Sequence, residues 1–505
     1  MPSLSKSLLM LSAGMLSSSN MASASLIQPN PSCAVLVSAG LGSQVLLPGS
    51  EAYQTRQDSY WSNSAKLSPS CIVLPRDAQE VSVALSALVS VGKPFAIRSG
   101  GHTNWPGANN INGGVTVDLG LLNAVTYDAA TETANIGPGA RWRDVYGELI
   151  KYKRAVAGGR EGNVGVAGLI LGGGNTFFTA RQGFACDNVV AYEVVLADGS
   201  IVVADENNHA DLFRALKGGS NNFGIVTKFT MKAIESDRVW GGMAFLPKDV
   251  IPQATDALVH FTDNLERDVN NNLVVIFTHM PDFKDVVIGT LYANMIGEEK
   301  PAAFDEWLAL PEMMNTYKNT TIAEMAFEYN IPANHYNSWF TLTFRNDARI
   351  VAYASKLHDK LVEDLKLIDP TQSFTTQCLF QPLPALFGRN SVAAGGNVMG
   401  VERQKENGLL WLAVAMMQTA EQEAQAYHLV RNWTESVRAF AESLPEGSGI
   451  FPWRYLNYAD HSQAVLESYG AENVQKIRDA AAAYDPTGVF QTLVPGGFKI
   501  SQVAA

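Results

Sequence analysis

Cysteine is scarce: four residues in a chain of 505 cannot build a disulfide scaffold. Charge is also thin, at 17% of residues, and the balance is acidic, with a formal net charge of −12. That excess argues against nucleic acid or an anionic membrane surface as a partner. No stretch reaches the roughly 18 unbroken apolar residues of a membrane span. There is no internal repeat, no low-complexity linker and no constellation that calls for a metal. What remains is a globular composition, 47% hydrophobic, long enough for two or three domains. Glycine is plentiful, at 42 residues, and much of it is clustered, as expected where backbone is held close against something.

The N-terminus reads as a secretion signal over residues 1–24. Lys6 supplies the positive start, Leu8 to Leu11 with Met15 and Leu16 the apolar stretch, and Ala22-Ser23-Ala24 the cleavage pattern. The serines that interrupt the apolar run leave a disordered tail as the alternative. In an oxidising compartment Cys33 and Cys71 can pair and tie down the N-terminal arm. Cys186 and Cys378 sit in apolar runs and read as buried free thiols. Asn319-Thr-Thr and Asn432-Trp-Thr are acceptor triplets for N-glycosylation.

Secondary-structure signals alternate along the first half. Asp77 followed by Glu80 is a helix start, and Val81, Leu85, Leu88 and Val89 continue it on one face. Residues 94–98 and 114–119 read as strands, Trp142 to Ile150 as a helix, and 189–204 as a hairpin turning at Asp198-Gly199. From about residue 237 glycine thins out. Strands are expected at 273–279, 285–292, 339–345, 373–380 and 409–417, with helices through Leu357–Leu365 and Tyr427–Phe440. The tail from 451 carries a helical stripe, Val474 to Tyr484, that stops at Asp485-Pro486. The fold class is α+β.

Three glycine blocks stand out. The first is Arg98-Ser99-Gly100-Gly101-His102-Thr103, a turn after a strand whose N–H groups can converge on an anion. The second runs from Gly158-Gly159 through Gly162, Gly165 and Gly168 to Gly172-Gly173-Gly174. It lacks the G-x-G-x-x-G spacing and the following acidic residue of a nicotinamide-binding βαβ unit, and instead suits a long groove against a large planar or phosphorylated ligand. The third is Lys217-Gly-Gly-Ser-Asn-Asn-Phe-Gly224-Ile-Val226.

In this order, with Cys71 to Pro75, Tyr192 to Gly199, Tyr455-Leu-Asn-Tyr458 and Tyr484-Asp-Pro486, the blocks resemble the FAD-linked oxidases of the vanillyl-alcohol-oxidase fold. The resemblance covers nearly the whole chain and is greatest to the berberine-bridge-enzyme-like branch, especially its secreted fungal members. It implies a two-part, PCMH-type FAD-binding domain (25–236, completed by 451–505). An α/β substrate domain (237–450) would have an antiparallel sheet covered by helices. It implies FAD held by Arg98, Ser99, Gly100, Gly101, Thr103, Val164, Gly165, Gly168, Gly173, Gly174, Gly224, Val226, Asn457 and Tyr458. His102 matches the histidine that bonds covalently to the flavin 8α-methyl, a reaction suited to a neutral imidazole. Val164 matches the position that gates O2 access, where valine accompanies oxidase behaviour.

Two departures narrow the mechanism. Relatives that attach flavin twice use a cysteine where this chain has Glu161, so one covalent bond, through His102, is expected. The tyrosine that some relatives place after the Gly-Gly-Gly run is Asn175 here, and the strand 409–417 has no acid or base. Tyr458 is then the residue expected to contact substrate or move a proton, with a packing role as the alternative. His279 ends a strand and is a lesser candidate to face the pocket. The expected activity is an oxidase passing hydride from a small organic substrate, such as an alkaloid or polyketide, to FAD, with O2 returning as H2O2. An oligosaccharide oxidase, a dehydrogenase with another acceptor and a non-catalytic flavin-binding protein are the alternatives.

Overall fold

A computed structural model describes residues 30–445 and 449–504. The expected signal segment, 1–24, lies outside the described residues. Strands Cys71–Val73 and Phe95–Arg98 run parallel to Val115–Asp118 between them, and Val45–Leu46 adds an antiparallel edge. The helix between the first two, Ala78–Ser90, starts where Asp77 accepts from the Glu80 N–H at 2.8 Å. Its buried stripe, Val81, Ala84, Leu85 and Leu88, packs on that small sheet. Cys33 and Cys71 form a disulfide, and Cys186 and Cys378 are buried free thiols.

A second sheet is antiparallel, in the order Val125–Asp128, Thr133–Ile136, Ile225–Lys232, Val189–Val195, Ile201–Asp205. The last two form the expected hairpin. Helix Trp142–Leu149 buries Trp142, Val145, Tyr146 and Leu149 in the core beside this sheet.

The third sheet is the largest, nine strands from Val239 to Phe451. All five strands expected there are present and pair antiparallel: Asn271–Thr278, Val287–Asn294, Tyr336–Arg345, Thr375–Leu383 and Gly408–Met417. Strand Val239–Pro247 joins them unexpectedly, because Gly241 and Gly242 dilute its apolar pattern. Helices Ala348–Ile368 and Ala420–Glu442 cover one face: Trp411 meets Trp433 edge to face at 4.9 Å, and Phe340 meets Tyr427 at 5.2 Å. Residues one step along each strand point to the other face. Register therefore groups Trp339, Gln377, Gln381, Leu379 and Leu412 there.

The tail returns to the first part of the chain. Helix Ala471–Tyr484 ends before Asp485, which accepts from the Val489 and Phe490 N–H groups at 2.7 Å. Asn222 donates to the Phe498 carbonyl at 3.0 Å, and the Phe95 N–H to the Leu493 carbonyl at 2.7 Å. Among the described residues, no helix is long and apolar enough to cross a membrane.

Candidate active site

The glycine blocks meet in a cleft that also takes in the open face of the large sheet and the returning tail, about 1750 Å³ counted out to its mouth. Gly100 and Gly165 touch backbone to backbone; a Cβ on Gly165 would lie 2.5 Å from the Gly100 nitrogen. Glycine is required here for close approach. Arg141 ties the crossing, donating to the carbonyls of Gly100 (2.9 Å) and Asn163.

Of the residues expected to hold a cofactor, Ser99, Gly100, Gly101, His102, Thr103, Val164, Gly165, Gly168, Gly224, Val226, Asn457 and Tyr458 line this cleft. Arg98, Gly173 and Gly174 do not. The Arg98 guanidinium turns inward, donating to the Arg56 carbonyl and Ser59 Oγ over the Tyr60 ring, 3.5 Å from Asp118. Gly173 and Gly174 adopt positive φ, 109° and 82°, and pack on Met399 and Ala185. His279 is also away from the cleft. It is buried, its ring stacked on Phe374 at 4.6 Å and its backbone N–H donating to Thr376 Oγ1 at 3.1 Å. A strand end inside a sheet this thickly covered faces packing, not a pocket.

His102 sits with its ring stacked on Trp61 at 4.5 Å. Burial, then the nearby Arg141 charge, pushes its pKa down to about 3, so the imidazole is neutral. Its Nε2 has no hydrogen-bond partner among the described residues, and Glu161 Oε2 lies 3.7 Å away. Glu161 is only 5% exposed. It accepts from the Asn163 N–H at 2.9 Å and from Asn163 Nδ2 at 3.1 Å, and burial lifts its pKa to about 7.

Across the cleft, Tyr458 is held by two residues. Its oxygen accepts from Gln381 Nε2 at 3.0 Å and Arg160 Nη2 at 3.2 Å. The Gln381 carbonyl oxygen accepts from Arg160 and from Asn175 Nδ2, so its amide nitrogen necessarily faces the phenol. With both acceptor sites filled, the Tyr458 O–H remains free for a ligand. Arg160, Gln381 and Asn175 carried no assigned role in the sequence. Gln381 lies in an apolar strand with no motif around it, and Arg160 lies in a glycine block whose glycines alone suggest its use. Trp339, Leu379 and Leu412 from the sheet, with Tyr329 and Ile331, form an apolar wall beside this cluster.

The residues fit a flavin nucleotide. Asn457 Nδ2 donates to the Gly168 carbonyl at 3.0 Å, while its Oδ1 is buried without a partner. Arg160 Nη1 and Asn104 Nδ2 are buried and unpartnered along the same cleft. Among the described residues, the N–H groups of Gly100, Gly101, His102 and Thr103 meet no protein acceptor. Buried donors and acceptors left open on one cleft are matched by a ligand rich in both.

Comparison with known proteins agrees. A family model described as FAD binding domain matches residues 69–205. The FAD-dependent monooxygenase sdcF of Emericella nidulans is 39% identical over 475 residues, covering 93% of this chain and 98% of that protein. The FAD-dependent monooxygenase drtC of Aspergillus calidoustus is 37% identical over 481 residues, covering 93% and 90%. The fold matches glucooligosaccharide oxidase of Acremonium strictum, described with a 6-S-cysteinyl, 8α-N1-histidyl FAD, at a TM-score of 0.73 and 19% identity, covering 92% and 98%. The chain therefore belongs with these fungal FAD-dependent monooxygenases, as a FAD-linked oxidoreductase of the vanillyl-alcohol-oxidase, PCMH-type fold.

Proposed function

We propose that the protein is an oxidase acting on a small, largely apolar secondary metabolite, with FAD attached through His102 alone and O2 as the final acceptor. The bound flavin supplies a two-electron acceptor for substrate hydride and passes the electrons on to O2. The observation that carries the reading is the division of the cleft: a neutral, unpartnered imidazole on one side, and an apolar wall with a single polar cluster on the other. Tyr458 is the group placed to exchange a proton with substrate, and Arg160 is the counter-charge for its oxygen. Gln381, held by Asn175, keeps the phenol in place. Trp339, Leu379, Leu412, Tyr329 and Ile331 exclude water and favour an apolar or aromatic skeleton over the oligosaccharide taken by the glucooligosaccharide oxidase. Val164, on the cleft wall, is the O2 gate of this reading. The Cys33–Cys71 disulfide supports routing through an oxidising, secretory compartment.

The names of the two monooxygenases favour a second reading, insertion of one oxygen atom into the product. One experiment separates them. Protein is reduced anaerobically by members of a polyketide and alkaloid panel, then mixed with ¹⁸O2. The oxidase reading expects one H2O2 per product and no ¹⁸O in the product. Label in the product supports monooxygenation. No flavin reduction by any member counts against both and favours a binding protein. In parallel, flavin should remain on the acid-precipitated wild-type chain and leave it in His102→Ala.

A further inference from the structure

Glu161 occupies the place where doubly linked relatives have their second attachment point, and nothing in the reading above uses it. It is a buried carboxyl group whose two oxygens accept from the Asn163 N–H and Nδ2, with the Val164 N–H also beside it. A carboxylate offers about four acceptor sites, and two are filled. The one ring nitrogen in its reach is His102 Nε2, at 3.7 Å, itself buried and without a partner. Residues 102 and 161 meet because Gly100 and Gly165 cross in contact. Trp61 holds the face of the ring and leaves its edge toward Glu161. A distance of 3.7 Å is longer than a hydrogen bond, but acid–base pairs often lie long in unliganded sites and tighten when the reactant binds.

We infer that Glu161 is the positioning base for flavin attachment: its carboxylate takes the Nε2 proton of His102 while the other ring nitrogen bonds to the flavin 8α carbon. This rests on the His102 link proposed above. The balance is complete. The new bond joins the imidazole nitrogen to the 8α carbon, which gives up one hydrogen as a proton. The imidazole loses its Nε2 proton to Glu161 and ends neutral. Two electrons enter the flavin ring and leave to dioxygen, which is released as H2O2. Glu161 thereby fixes the tautomer whose free lone pair faces the cofactor, and it removes the charge that the buried ring is least able to carry. The residue that replaces a second attachment point serves the first one.

The test uses the full chain, prepared without flavin and mixed with FAD. Attachment is followed by acid precipitation and in-gel flavin fluorescence, normalised to protein that holds FAD without a covalent bond. Wild type, Glu161→Gln and Glu161→Asp are compared. If Glu161 only braces the loop, glutamine serves at least as well as aspartate, since it keeps the length and one of the two acceptors that Asn163 uses, whereas aspartate is too short to reach either. If it accepts a proton, the order reverses. The expected ranking is wild type, then Glu161→Asp, then Glu161→Gln, with glutamine at least about a hundredfold slower than wild type, the low side of what a placed base supplies. Glu161→Gln attaching at the wild-type rate, or faster than Glu161→Asp, overturns the assignment. So does failure of both variants to take up any FAD, which is the behaviour of a brace. Wild type with no covalent flavin at all overturns the His102 link as well, and so is distinguishable from failure of Glu161 alone.

Discussion

The crossing of Gly100 and Gly165 can be attacked with one methyl group. In Gly165→Ala the new Cβ would lie 2.5 Å from the Gly100 nitrogen, 2.6 Å from its Cα and 2.9 Å from Ser99 Oγ. Two of these three atoms are backbone, so no rotamer change relieves them. Reaching van der Waals contact requires the two segments to separate by roughly 1 Å. They are pinned where they are: Ser99 Oγ donates to the Pro138 carbonyl at 2.5 Å, the Val166 N–H to the Ala140 carbonyl at 3.0 Å, and Arg141 to the Gly100 carbonyl at 2.9 Å. Overpacking of this kind costs about 1–3 kcal/mol, and a lost hydrogen bond adds about 1. The separation would also draw His102, two residues from Gly100, away from the cofactor, and misplacement by about 1 Å can slow a reaction about a hundredfold. Thermal unfolding followed by tryptophan fluorescence should show a lower midpoint, and acid precipitation should show most of the flavin lost as free FAD. Gly147→Ala is the control, since its Cβ meets nothing within 4 Å inside helix Trp142–Leu149; it should stabilise by up to about 1 kcal/mol. A Gly165→Ala protein with wild-type midpoint and full covalent loading would refute the close-approach argument.

Three further outcomes are expected. Glu161 has its pKa raised from 4.5 to about 7, so the native state binds the extra proton between those values and stability falls as pH rises through that window. Glu161→Gln should therefore gain on wild type by up to about 3 kcal/mol at pH 8 relative to pH 4.5, above a constant offset for the lost Asn163 bond, as read from paired unfolding curves; a pH-independent difference would contradict the buried-carboxyl assignment. Val164→Leu should slow reoxidation of the reduced flavin by O2 in stopped flow and leave its reduction by substrate little changed, because one added methylene in a packed wall closes the space beside the ring; equal loss in both steps would remove the gate. Cys33→Ser, which opens a disulfide across 38 residues, should cost up to about 4 kcal/mol in the chain-entropy account, measured against wild type under non-reducing conditions.

Much of the framework was legible because single-residue patterns carry it. Asp77 caps its helix as the spacing with Glu80 indicates. Strand Gly408–Met417 reads as unbroken apolar because helices cover one face and the cleft wall takes the other. Strand Val239–Pro247 was hidden because its paired glycines interrupt a pattern that register with Val287–Asn294 maintains. The glycine blocks were half understood. Gly165 and Gly168 line the cleft as a cofactor groove should, but a Cβ on Gly158 or Gly159 would strike the Trp142 ring, so those two glycines seat a core tryptophan. Composition cannot tell a glycine that makes room for a ligand from one that makes room for a side chain.

The site residues that escaped sequence reasoning share one property: each acts through a partner far away in the chain. Gln381 is defined by Arg160, Asn175 and Tyr458, which come from the two ends of the second glycine block and from the tail. Glu161 is defined by His102, 59 positions earlier, brought near by a crossing that exists only because positions 100 and 165 have no side chains. A motif reports what its own backbone can do, and the block around His102 does line the cleft. The polarity of its surroundings is set by tertiary contact. Replacing an attachment cysteine with glutamate at position 161 reads in sequence as the loss of a bond. In the fold it puts a buried carboxyl group, its pKa lifted by burial, 3.7 Å from the edge of the His102 imidazole, the attachment point of the proposed reading. A buried carboxyl group without a function is a cost to stability, and its placement there is the physical ground for giving it one.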